Sequence, residues 1–300
     1  MRLRHTVALV GVTAATLMAT SACGADGART AAKAVDNADK IMAALARATD
    51  RTENVGSAEV RMTTEMPATG PVSMDGTYSW GHGFAFDVEM DTKAVRMQQV
   101  HAAAKTRMVF VNGAYYYEVD PQPSGPLKGK HWMKIDASAV FGDKGAQAFQ
   151  GTSGAGSPAA SMKALKYANN VDDLGKETVD GQSTTHYRAV VDKAHMGKFK
   201  DAYGDQNNVF GSMTGGSDSI TMDIWVGAKD LPVRMKQRFG TAVVTMDFEK
   251  FGATAAIKAP PAAQTGDVTE QLKKSAAQQQ QAERKGTSVA GAQPPPRAPT

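Results

Sequence analysis

Apolar and polar positions change period along this chain. Between residues 30 and 50, Val35, Ala38, Ile41, Met42 and Leu45 recur at spacings of three and four, which lays one apolar stripe on a helix. After Gly56 the period is two. Val60, Met62, Thr64 and Met66 alternate with Glu59, Arg61, Thr63 and Glu65. Val72, Met74, Gly76, Tyr78 and Trp80 follow, and Gly81-His82-Gly83 makes a turn. Phe84, Phe86, Val88 and Met90 then alternate with Ala85, Asp87, Glu89 and Asp91. This alternation predicts strands with one buried and one wet face.

Asn112-Gly113 between "RMVFV" and "AYYYEV", and Asp180-Gly181 between "KETV" and "TTHYRAVV", are hairpin signals. Three more strands are predicted in "SITMDIWVG", "LPVRMKQRF" and "AVVTMDFEKF". Their apolar sets are Ile220, Met222 and Ile224; Val233, Met235 and Phe239; and Val244, Met246 and Phe248. Helical spacing returns over Pro158–Ala168 and Lys193–Tyr203, while the glycine- and serine-rich stretch 142–158 reads as a mobile surface loop. The expected architecture is a long antiparallel meander with about three helices. Its apolar face must curl around a helix, pack on a second sheet, or close on a ligand.

The ends change the picture of where the protein works. Arg2, Arg4 and His5 precede an uncharged run from Thr6 to Ala19, and Thr20-Ser21-Ala22-Cys23 follows. Basic, apolar and small residues in that order read as a secretory signal over residues 1–22. Cys23, the single cysteine, cannot form an internal disulfide and sits where the signal would be cut. Its setting resembles a bacterial lipobox, with Thr20 where that pattern usually has Leu; the alternative is a secreted protein with a free thiol. Residues 23–33 then form a lipidated linker and residues 34–256 the folded domain. Residues 257–300 carry few large apolar side chains and are expected to be a disordered Pro/Gln/Ala-rich tail, apart from a short helix from Val268 to about Glu283. The 34 Lys and Arg against 30 Asp and Glu are scattered, without a basic run for nucleic acid.

The sequence offers little chemistry. His186 shares a strand face with Thr184, Arg188 and Val190, beside a cation and without an adjacent carboxylate before Asp192, so it reads as structural. No nucleophile elbow, zinc-helix or phosphate-loop motif occurs, and the other histidines are dispersed. No catalytic residue, metal site or cofactor is assigned. Methionine is abundant: 16 in all, ten of them in expected strands. Flexible thioethers on one sheet face suit a cavity for chains of varied shape, or an ordinary core loosely packed.

The order of parts, with "DGQSTTHYRAVVD" and "DIWVGAKDLPVRMKQRF", resembles the LppX/LprAFG group of actinobacterial lipoproteins in the LolA/LolB-like superfamily. The likeness extends over about residues 35–252. It implies an α+β fold, a curved antiparallel β half-barrel with helices packed on the concave face and an apolar cavity between them. The ligands implied are lipid or lipoglycan acyl chains, held by a monomer anchored to the outer face of the cell membrane, with a transporter or other envelope protein as a further partner. The expected lining is Met62, Phe84, Phe86, Met108, Phe110, Tyr187, Met222, Ile224, Met235, Val244 and Met246, with Tyr187 inside and His186 outside. A bulky polar change at Phe86 or Met235 is expected to weaken lipid binding and leave the fold largely intact. The alternative function is a regulatory lipoprotein that binds a membrane protein through its polar face and tail, as anti-sigma-factor sensors do, without lipid transfer.

Overall fold

The computed structural model describes residues 24–66, 70–148, 157–163, 165, 168, 171–192, 219–252 and 254–278. The described residues up to Lys40 group as one compact unit and those from Ile41 onward as another, which holds the whole sheet. The helix α1 (Gly24–Val55) ends at Gly56, whose φ of 73° is the left-handed conformation that stops a helix. Its later turns present Ile41, Leu45, Ala48 and Thr52 as one buried stripe. The hydroxyls of Thr49 and Thr52 donate back to Leu45 O and Ala48 O at 2.7 Å, so polar residues can sit on that stripe.

Six strands follow: β1 (Ser57–Met66), β2 (Gly70–Ser79), β3 (Ala85–Asp91), β4 (Lys105–Val111), β5 (Ala114–Glu118) and β6 (Trp132–Asp136). After α2 (Ser138–Ala148) and α3 (Pro158–Lys163) come β7 (Val171–Val179), β8 (Gln182–Asp192), β9 (Ser219–Gly227), β10 (Pro232–Phe239), β11 (Ala242–Phe251) and β12 (Thr265–Asp267). They make one open sheet in the order β12-β6-β5-β4-β3-β2-β1-β11-β10-β9-β8-β7. Neighbours are antiparallel, except that β12 lies parallel to β6. Both anticipated Gly hairpins form, with Asn112 at φ 55° and Gly113 at 74°, and Asp180 at 49° and Gly181 at 76°.

The sheet curves where its ladder is interrupted. Register shifts fall at Glu59/Val60, Asp173/Gly175 and Pro232/Arg234. At Gly76 a Cβ would stand 2.2 Å from the Asp87 carbonyl oxygen, so only glycine lets β2 and β3 approach there. The helices pack on the concave face: Ile41 and Leu45 of α1, Phe141 and Ala146 of α2, and Met162 of α3 share one core with it. The convex face is laced by cross-strand ion pairs, such as Arg61 to Asp75 at 2.8 Å and to Glu249 at 3.1 Å.

Three expectations are corrected. Residues 257–278 are ordered rather than a disordered tail. Ile257 packs on the convex patch of Val109, Val111 and Tyr116, β12 pairs with β6, and a helix α4 covers 269–278. Lys134 and Asp267 pair at 2.8 Å, and Thr269 Oγ1 accepts the Asp136 amide at 2.9 Å. The anticipated short helix thus forms over its described part. Residues 143–148 are helical rather than loop: α2 is two helical segments joined at Gly142, whose φ of 71° and ψ of 169° are not helical, and the second segment buries Ala146. Of the methionines expected in strands, Met133 lies in β6, but Met97 lies in the connection between β3 and β4 rather than in a strand. The signal segment, Cys23, the 193–203 helix and residues 279–300 lie outside the described residues.

Candidate functional site

The concave face has two halves of different chemistry. Over β2–β5 it is aromatic. Tyr78, Phe84, Phe86, Phe110, Tyr115 and Tyr117 form a continuous chain of rings, with centroids 4.7 to 6.3 Å apart along it. Phe141 of α2 closes on Tyr115 at 6.5 Å. The pairing register explains the chain: Tyr78 faces Phe86, Phe86 faces Phe110, and Phe110 faces Tyr115 on successive strands. Burial raises the Tyr117 phenol to about 12 and the Tyr78 phenol higher still, so both keep their protons.

The other half is a row of thioethers. Met90, Met74, Met62, Met246 and Met235 are cross-strand partners in turn on β3, β2, β1, β11 and β10. Ile224 of β9 and Tyr187 of β8 continue the same row. Four inter-strand spacings separate the outermost methionines, roughly 19 Å. The ends of the row are buried, but Met62 and Met246 at its centre are only half covered. Met66, Val72 and Val244 beside them are half covered as well.

All eleven expected lining residues belong to this one cluster. Seven are buried: Phe86, Met108, Phe110, Tyr187, Met222, Ile224 and Met235. Met62, Phe84, Val244 and Met246 are partly buried and pack against the same core. Met235 is only 1% exposed, so a Glu there would bury an unpaired charge. The expectation that a polar change at Phe86 or Met235 spares the fold is therefore corrected. The list omitted Met74, Met90 and Tyr78, although their alternation in β2 and β3 carried the same signal.

His186 lies on the convex face, as expected, but its surroundings differ from the expectation. Its ring is 5% exposed and stacks on Trp225 with centroids 4.1 Å apart. Nδ1 lies 2.8 Å from Glu177 Oε1 on β7, and Nε2 lies 2.7 Å from Asp223 Oδ1 on β9. The indole of Trp225 donates to Glu177 Oε2 at 2.7 Å, and Arg188 Nε donates to Asp223 Oδ1 at 2.7 Å. The carboxylates come from neighbouring strands, which single-strand reasoning does not see. The Trp225 indole and then His186 hold the Glu177 carboxyl below the usual carboxylate range. Each of these polar groups is spent on another, so the cluster staples β7, β8 and β9 together.

A polar cleft of about 610 Å³ lies at the β6–β12 edge, between Lys134, Asp136, Ser138, Asp267 and the α4 residues Thr269, Glu270, Gln271, Lys273 and Lys274. Among the described residues no group of three or more His, Cys, Asp or Glu could hold a metal ion, and no helix is long and apolar enough to cross a membrane.

No family model matches the chain. An uncharacterized 31.2 kDa protein of Streptomyces griseus is 26% identical over 249 residues, 79% of this chain and 82% of that one. A Streptomyces coelicolor chain named a putative lipoprotein is 26% identical over 240 residues, 76% of this chain and 75% of that one. Among solved structures, the chain is similar to the Mycobacterium tuberculosis lipoprotein LppX, with a TM-score of 0.48, 11% identity, and coverage of 73% and 99% of the two chains. LprF of Mycobacterium bovis gives a TM-score of 0.45 at 14% identity, covering 75% and 98%.

Proposed function

We propose that this protein is a lipoprotein anchored through Cys23 at the extracytoplasmic face of the cell membrane, and that its concave sheet face holds acyl chains for carriage or presentation in the envelope. The observation that carries the reading is the half-covered centre of the methionine row. Met62, Met246, Val244 and Met66 present contiguous apolar surface on an otherwise closed core. Each methylene laid on that surface is worth about 0.8 kcal/mol. Thioethers suit such a floor, because an unbranched, polarizable side chain adapts to a chain of any shape.

The anchor follows from the leader and the lone cysteine, and the Streptomyces coelicolor relative's lipoprotein name supports it. On the convex face Arg61, Arg107 and Arg234 are each paired with an Asp of an adjacent strand. The competing reading, partner binding through a free tail, loses residues 257–278 to the sheet edge.

The test is Met246→Glu. Met246 is partly exposed, unlike Met235, so a charge there should keep contact with water and spare the fold while it breaks the apolar floor. Displacement titration with a fluorescent fatty acid should show at least tenfold weaker uptake, at a thermal midpoint close to that of the parent. Unchanged uptake by a folded M246E protein would remove this face as the binding surface.

A further inference from the structure

Four buried threonine hydroxyls among the described residues are satisfied by carbonyl oxygens. Thr49, Thr52, Thr106 and Thr184 each donate to one at 2.7 to 3.0 Å. Tyr78 departs from that pattern. Its side chain is 1% exposed, wedged between Phe84 and Phe86, and its hydroxyl donates to the thioether sulfur of Met62 at 3.6 Å. Among the described residues no oxygen or nitrogen accepts it. A thioether is a weak acceptor, so the phenol is desolvated without a full partner in return. Thr92 Oγ1 also lacks a partner, but it belongs to the β3–β4 connection rather than the concave face.

The position of this donor matters. It stands at the seam between the aromatic and methionine halves, and the acceptor covering it is one of the two half-exposed methionines of the row. Met62 can swing aside at little cost because its side chain is unbranched. Removing its sulfur uncovers a buried, well-oriented O–H at the border of an apolar strip.

We propose that the Tyr78 hydroxyl is the polar anchor of the bound lipid, donating to an acyl oxygen, an ester carbonyl or a carboxylate, that displaces Met62 Sδ. This rests on the acyl-chain reading of the concave face and adds to it. The rings and thioethers select for hydrocarbon, whereas Tyr78 selects for an oxygen at one end of it. A site built to donate to an oxygen discriminates against the analogue that lacks one.

The test uses the chain from Cys23 onward with three sixteen-carbon competitors: palmitic acid, methyl palmitate and hexadecane, each displacing a fluorescent fatty acid. The parent should prefer the acid or the ester to the alkane by about tenfold, the worth of one good hydrogen bond. In Tyr78→Phe the acid-to-alkane ratio should fall toward one. A larger gap for the acid than for the ester identifies a carboxylate; equal gaps identify a carbonyl. Met62→Leu removes the competing sulfur and keeps the hydroxyl, so its ratio should equal or exceed the parent's, and this reads the same idea if Y78F does not fold. A parent that binds all three competitors equally, a Y78F ratio unchanged from the parent, or an M62L ratio near one overturns the assignment of Tyr78 alone. A parent that takes up no fluorescent fatty acid overturns the acyl-chain reading as well.

Discussion

The two halves of the concave face are built on the same ladder and do opposite things. Over β2–β5 the ladder positions carry rings, and α2 closes on them through Phe141. Over β3–β10 the next row carries thioethers, and its centre stays half open at Met62 and Met246. A ring has two side-chain torsions and packs with defined geometry, which makes a rigid wall. A thioether has more torsions and no shape preference, which makes an adaptable floor. Stability is concentrated in the first half and adaptability in the second. That division is what a protein needs if it is to stay folded while its contents change.

The largest effect should come from breaking the wall. Phe110 is 1% exposed and contacts Phe84, Phe86 and Tyr115, so Phe110→Ala should cost about 3–5 kcal/mol in denaturant unfolding. Met246→Ala on the floor should cost about 1 kcal/mol or less, because its side chain is already half solvated. Equal losses at the two sites would erase the distinction.

The staple behind the strands at the far end of the methionine half gives a smaller, pH-dependent effect. His186→Gln should cost about 1–3 kcal/mol near neutrality, since Asp223 and Glu177 lose a buried donor. Glu177 has its carboxyl pKa lowered in the fold from a reference of 4.5. Its contribution is therefore fully present above that reference and is lost as pH falls through the lower folded value. The difference between parent and H186Q should narrow below about pH 4.5, as read from urea midpoints across the acid limb. A difference that widens there would contradict the staple.

The smallest effect needs no mutation. Dilute peroxide should convert Met62 and Met246 to sulfoxides before Met74, Met90 and Met235, because oxidation follows exposure within the row. Peptide mapping over a time course reads this order directly. Uniform oxidation along the row would mean that its centre is no more open than its ends.

Much of this arrangement was legible in the sequence. Alternation in β1 to β3 and β9 to β11 put Met62, Phe86 and Ile224 on apolar faces, the resemblance implied that Tyr187 lies inside with them, and the Asn-Gly and Asp-Gly turns marked two hairpins. What was hidden depends on pairings between distant segments. β12 is three residues long and finds its partner β6 133 positions earlier in the chain, so no local pattern announces it. α2 passes through a glycine at φ 71°, and its composition reads as loop. The carboxylates around His186 sit on β7 and β9, at positions that only the strand register brings together. The adjacency of five methionines on five strands is hidden for the same reason. The sequence shows that each faces inward, but only the register shows that they touch in a row.

The central claim is that the half-open floor holds an acyl lipid. It is tested most directly by expressing residues 24–300, which lack both the signal segment and Cys23, in an actinobacterial host, purifying the protein without detergent and recording its native mass. The account predicts a discrete added mass that solvent extracts as an acyl lipid and that is lost or greatly reduced in M246E. A bare polypeptide mass that gains nothing on incubation with diacyl lipids would contradict it.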